Sequence, residues 1–142
     1  MESFAPGKNF LKVTGILYII FGALGVLGAF TGIFITEVVD AVGLGNVVDT
    51  DSWTVFYLVG LVGSGFQIFI GIMGIANCTN LVKAPLLKVL GGIDILYVIV
   101  NAFLGFVIFT GAIGGATAIV SLMIGCVLPI LYIIGAHKNS QA

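Results

Sequence analysis

The chain has 142 residues, 60% of them hydrophobic and 8% charged, with a net charge of -1. Such a composition excludes an ordinary water-soluble core, and the near-zero net charge carries no signal for nucleic acid or for acidic substrates. The length suits one domain, residues 1–142.

Four stretches free or nearly free of charge run over residues 13–35, 54–76, 89–111 and 113–136. Each is about 23 residues long, or roughly 35 Å as a helix, enough to cross a hydrocarbon core of about 30 Å. The predicted fold is therefore all-α, a four-helix transmembrane bundle embedded in the lipid bilayer. The first stretch exceeds the usual apolar length of a signal peptide and lacks a small-residue cleavage site, so a retained helix is expected.

Between the first two stretches lies an outer loop, residues 36–53, with Glu37, Asp40, Asp49 and Asp51 and no lysine. Glu37 and Asp40 share one helical face and Val38, Val39 and Val42 another, which predicts a short amphipathic helix resting on the membrane. One of Asp49, Asp51 and Ser52 is expected to cap the second helix, with Trp53, Phe56 and Tyr57 as an interfacial aromatic belt. The loop at residues 77–87 is the counterpart on the other side. Lys8, Lys12, Lys83, Lys88 and Lys138 all flank helix ends on that side, and arginine is absent. The positive-inside rule predicts both termini in the cytoplasm, and the missing arginines and outer-loop cysteines suit a bacterial plasma membrane. Cys78 and Cys126 fall outside the outer loop, so no disulfide is predicted.

Leu11-Lys12-Val13-Thr14-Gly15 recurs as Leu87-Lys88-Val89-Leu90-Gly91, an offset of 76, each time where a helix begins. The repeat predicts two tandem parallel helical hairpins related by an axis along the membrane normal. Glycines follow helical spacing in every stretch. Gly15, Gly22, Gly25 and Gly32 lie on one face of the first helix, and Gly60, Gly63, Gly71 and Gly74 recur along the second. Gly91 and Gly105 mark the third, and Gly125 shares a stripe with Ala118, Ser121 and Tyr132 in the fourth. Lipid offers helices no hydrophobic drive to associate, so small residues that let backbones approach are read as packing faces.

Asp94 is the one acid inside a stretch, with Tyr97 and Asn101 following at one and two turns. Intramembrane acids usually face a bundle interior and mark an ion or proton path. The repeat aligns Asp94 with Tyr18 and Asn101 with Gly25, so the Tyr18 hydroxyl is expected to bond the Asp94 carboxyl. Gly25 is expected to leave room for Asn101 to reach Gln67. These residues either pin the bundle or line a polar path, and Lys88 folding inward to pair with Asp94 is a further option. Pro129 is expected to bend the fourth helix.

No nucleophile stands beside a base. The single histidine, His137, falls at a helix end, and no metal cluster or phosphate loop is present in the sequence. No cofactor and no enzymatic activity are predicted. The arrangement resembles the general tetraspan plan, although the loop signature of the claudin group, a tryptophan with a glycine-leucine-tryptophan run and paired cysteines, is missing. The first expectation is a scaffold, accessory or immunity-type subunit whose glycine faces drive homo-oligomerisation or docking to another membrane protein. The alternative is a small channel or carrier with Asp94, Asn101 and Gln67 along its path.

Overall fold

A computed structural model describes residues 5–47, 49–109 and 112–142. The expected end of the third helix at residues 110–111, and Val48 of the outer loop, lie outside them. Four α-helices follow in chain order: α1 (Lys8–Ala41), α2 (Thr50–Ala76), α3 (Ala84–Ile108) and α4 (Ala112–Ser140). A single 3-10 turn, Leu81–Lys83, precedes α3, and no strand occurs among the described residues. The fold is an all-α bundle whose four helices are long and apolar enough to cross a membrane, by length and composition.

Local chemistry sets the helix ends. No separate helix lies on the membrane after the first span, because nothing between Thr36 and Ala41 interrupts the hydrogen-bond ladder. Instead α1 runs for 34 residues, about 51 Å at ~1.5 Å per residue. It stops where Gly43 adopts φ +78°, a left-handed conformation that favours glycine. There the Leu44 N–H donates back to the Val39 carbonyl at 3.1 Å and the Gly43 N–H to the Asp40 carbonyl at 3.0 Å, satisfying the last turn. Asp49 caps α2, its carboxylate accepting from the Ser52 N–H at 3.2 Å. Two bonds from Ser52, hydroxyl first and backbone second, hold the exposed Asp49 carboxyl below its ordinary pKa. Pro85 opens α3, where its missing N–H leaves no internal bond unmade. Pro129 sits buried inside α4 and removes the donor that would have met the Gly125 carbonyl.

The helices pack most extensively as α1 on α2 and α3 on α4, with thinner contacts of α1 on α4 and α2 on α3. At one end Asn139, 1% exposed, ties three segments together. Its Oδ1 accepts from the Gly7 N–H at 2.7 Å and its Nδ2 donates to the Cys78 carbonyl at 2.9 Å. Lys88 donates to Ser140 beside it, and the Lys138 ammonium lies 4.4 Å over the Phe10 ring. This end carries every lysine, and the opposite end carries Glu37, Asp40, Asp49 and Asp51. Cys78 and Cys126 are free, as expected.

The polarity of the cross-section is reversed relative to a soluble bundle. Phe30, Phe34, Leu96, Phe103 and Met123 point outward, and Val62 is 75% exposed, while Asp94, Thr14, Ser64 and Asn139 are buried. A bilayer rewards this arrangement, since lipid solvates the apolar exterior and the polar side chains must find partners inside.

Candidate functional site

A tyrosine–carboxyl layer crosses the bundle on the lysine side of its middle. Asp94 of α3, 0% exposed, accepts a hydrogen bond on Oδ2 from the Tyr18 hydroxyl of α1 at 2.6 Å. These are the residues that the 76-residue repeat pairs. The Tyr18 ring meets the Tyr132 ring of α4 edge-on, centroids 5.6 Å apart, and the Tyr132 hydroxyl donates to the Ile70 carbonyl of α2 at 3.1 Å. One layer thus engages all four helices. Gln67 and Tyr97 also lie near the Asp94 carboxyl. Its second oxygen, Oδ1, is buried and has no partner among the described residues. Lys88 does not fold inward to it, being held at the bundle end by Ser140.

Glycines let these rings lie flat against the opposing helices. A Cβ on Gly63 would run into the Tyr97 ring, and one on Gly74 would fall 2.5 Å from the Tyr132 ring. Gly91 is pressed by Ile133 and Tyr132, and Gly125 by Val98. Backbone meets backbone between α1 and α2, where a Cβ on Gly71 would fall 2.6 Å from the Gly15 carbonyl oxygen. A Cβ on Gly22 would lie 2.9 Å from the Ser64 carbonyl oxygen, Gly25 abuts the Ser64 hydroxyl, and Gly32 abuts the Tyr57 ring. Gly105 has ordinary contact with Phe56 at 3.5 Å, and Gly60 faces open space.

That open space is a cavity of about 530 Å³ between the helices, in the half nearer the acidic end. The volume lies within the ~300–1,000 Å³ typical of small-molecule sites. Its polar lining comes from Ser64, Gln67, Tyr97, Asn101 and Ser121, with Phe56, Tyr57 and Phe109 toward the acidic end, and no charged side chain lines it among the described residues. Trp53 and Phe56 pack on Phe109 at 5.7 and 5.3 Å between centroids. Asn101 does not bond Gln67. Its Nδ2 donates instead to the Tyr97 hydroxyl at 3.2 Å, one turn earlier on the same helix. Asn101 Oδ1, like Asp94 Oδ1, is buried without a partner among the described residues.

Ser64, Tyr57 and Phe56 belong to the site without having been singled out for it in the sequence. A signal for Ser64 exists, since Gly60, Ser64 and Gln67 follow i, i+4, i+7 spacing and so share one face of α2. No group of three or more His, Cys, Asp or Glu side chains that could hold a metal ion occurs among the described residues. The arrangement offers hydroxyls, amides and aromatic faces for binding, with one buried carboxyl a turn beyond the cavity wall. Compared with protein-family models, with curated proteins and with solved structures, the chain matches none.

Proposed function

We propose that this chain is a non-enzymatic integral membrane protein that admits a small solute into the cavity between its four helices, acting as a small channel or carrier. The observation that carries this reading is the hollow itself: about 530 Å³, lined by polar side chains, inside helices whose outer faces are apolar. Packed bundles rarely keep voids larger than a water molecule, so a hollow of this size invites an occupant. Asp94, Gln67 and Asn101 then form a polar line from the bundle's middle into the cavity. The gathering of lysines at one end supports both termini in the cytoplasm, the cavity then lying in the outer half, and the lack of arginine and of outer-loop cysteines supports a bacterial plasma membrane. The 76-residue repeat and the Tyr18–Asp94 bond support two tandem parallel hairpins.

The scaffold reading has less behind it. Most glycines on which it relied meet neighbours within the same chain, leaving Gly28, Gly65 and Gly92 facing outward with open space beside them. Self-association or docking to another membrane protein would have to use those.

The test is solute flux into proteoliposomes, read by stopped-flow swelling with glycerol and with methylammonium chloride. Gly60→Leu fills the cavity from a position where a Cβ meets nothing within 4 Å. The unaltered protein is expected to pass at least one solute, and Gly60→Leu to fold but pass neither. Equal flux through both proteins, or none through either, would remove the proposal.

A further inference from the structure

The two orphaned oxygens specify what the cavity is built to receive. Among the described residues, Asp94 Oδ1 and Asn101 Oδ1 are the only buried side-chain nitrogen or oxygen atoms without a hydrogen-bond partner. Both are acceptors, both sit on one face of α3, and they are separated by two turns, about 10 Å along the helix. Buried acceptors left unmade are costly, so a group that supplies donors at both would be bound in preference to one that does not. No donor cation of the protein reaches them. Every lysine belongs to one end of the bundle, where Lys88 is held by Ser140 and Lys138 lies over Phe10.

The two acceptors differ in kind. Asp94 is the only acid within the four apolar stretches of the sequence, and one of its oxygens is already bonded by Tyr18. Tyr97 and Val98, three and four residues on from Asp94, line the cavity with Gln67, so the carboxyl lies one helical turn from the cavity wall. Asn101 is neutral and lies within the cavity wall. Between and above them stand Tyr97, Phe56, Tyr57 and Phe109, whose ring faces favour an apolar or cationic body.

Resting on the reading of the cavity as a solute site, we propose that its ligand is a small organic ammonium with an aromatic or apolar body and a second hydrogen-bond donor at its far end. The ammonium meets Asp94 Oδ1, the second donor meets Asn101 Oδ1, and the body fills the space between the rings. Organic anions are disfavoured, because the site presents acceptors and a carboxyl and no basic group.

Three probes share one ring and one phenolic hydroxyl but differ in head group: tyramine, tyrosol and 4-hydroxyphenylacetate. Their binding to the full chain in lipid nanodiscs, at fixed pH and salt, is to be measured by isothermal titration calorimetry. Tyramine is expected to bind at least about tenfold more tightly than tyrosol, with no binding of 4-hydroxyphenylacetate. Asp94→Asn keeps an acceptor for Tyr18 and is expected to erase the preference for tyramine. Binding of tyrosol or 4-hydroxyphenylacetate as tight as that of tyramine would overturn the ammonium assignment and leave the cavity as a solute site. Absence of binding by all three would overturn the assignment, and the flux measurement would then decide separately whether the cavity takes solutes at all. A preference for tyramine that survives in Asp94→Asn would also overturn it. Should that variant fail to fold, the three probes on the unaltered protein still decide the assignment.

Discussion

The lysine-side half of the bundle and its acidic-side half use the same residue types to opposite effect. In the first, Gly15 and Gly71 bring two backbones together, and Gly74 and Gly91 receive the Tyr132 ring, so ring and backbone take up the space that these glycines leave. In the second, Gly60 faces open space, Gly105 only just touches Phe56, and Gly25 meets only the Ser64 hydroxyl, so a cavity remains. A glycine therefore closes a membrane bundle only where an opposing ring or backbone arrives to occupy the space that it leaves. Where glycines from several helices coincide in depth without such a filler, the bundle is hollow.

The largest expected effect comes from Gly71→Leu, which forces α1 and α2 apart at a backbone contact. A loss of about 3 kcal/mol or more is expected in a detergent unfolding titration, the upper range for overpacking. Gly60→Leu in the other half is expected to stay within about 0.5 kcal/mol of the unaltered protein. Similar losses at the two positions would break the comparison.

Next is Tyr18→Phe, which deprives Asp94 of its hydroxyl donor while keeping the ring against Tyr132. Leaving a buried polar group unsatisfied costs about 1–3 kcal/mol, and the same titration checks it. Tyr132→Phe removes one interhelical bond, to the Ile70 carbonyl, and is expected to cost only about 0.6 kcal/mol. An unfolding midpoint for Tyr18→Phe no lower than that for Tyr132→Phe would mean that the Asp94 carboxyl does not depend on Tyr18.

The smallest effect lies at the acidic end. The Asp49 carboxyl is held below its ordinary pKa by Ser52, so its capping bond contributes fully above the usual carboxylate range near 4. That contribution fades as pH falls through the lowered value. Melting temperatures of the unaltered protein and Asp49→Ala are expected to differ at pH 7 and to converge in strong acid. A difference that persists in acid would assign the cap to something other than the ionised carboxylate.

Much of the lysine-side half was legible in the sequence. The 76-residue offset pairs Tyr18 with Asp94, each six residues past a lysine at a helix entry, and the two are joined by a hydrogen bond. Helix number followed from apolar run length. The hollow half was not legible. A void is an absence shared by four helices, and its existence depends on rotations and registers that no single stripe encodes. Asn101 shows the limit: it lines the cavity together with Gly25, yet the Tyr97 hydroxyl on its own helix takes its amide instead of Gln67. The continuation of α1 past residue 35 was obscured because acidic residues read as a loop, although none of them stops a helix before Gly43.

The contrast between the two halves is tested most directly by cysteine accessibility. Cys78 and Cys126 are first replaced by alanine, and cysteine is then introduced singly at Gly60, in the cavity wall, and at Ile70, in the filled layer. A small water-soluble methanethiosulfonate reagent is added to both sides of proteoliposomes. Gly60→Cys is expected to react at least about a hundredfold faster than Ile70→Cys. Equal rates at the two positions would contradict a hollow acidic half above a closed lysine half.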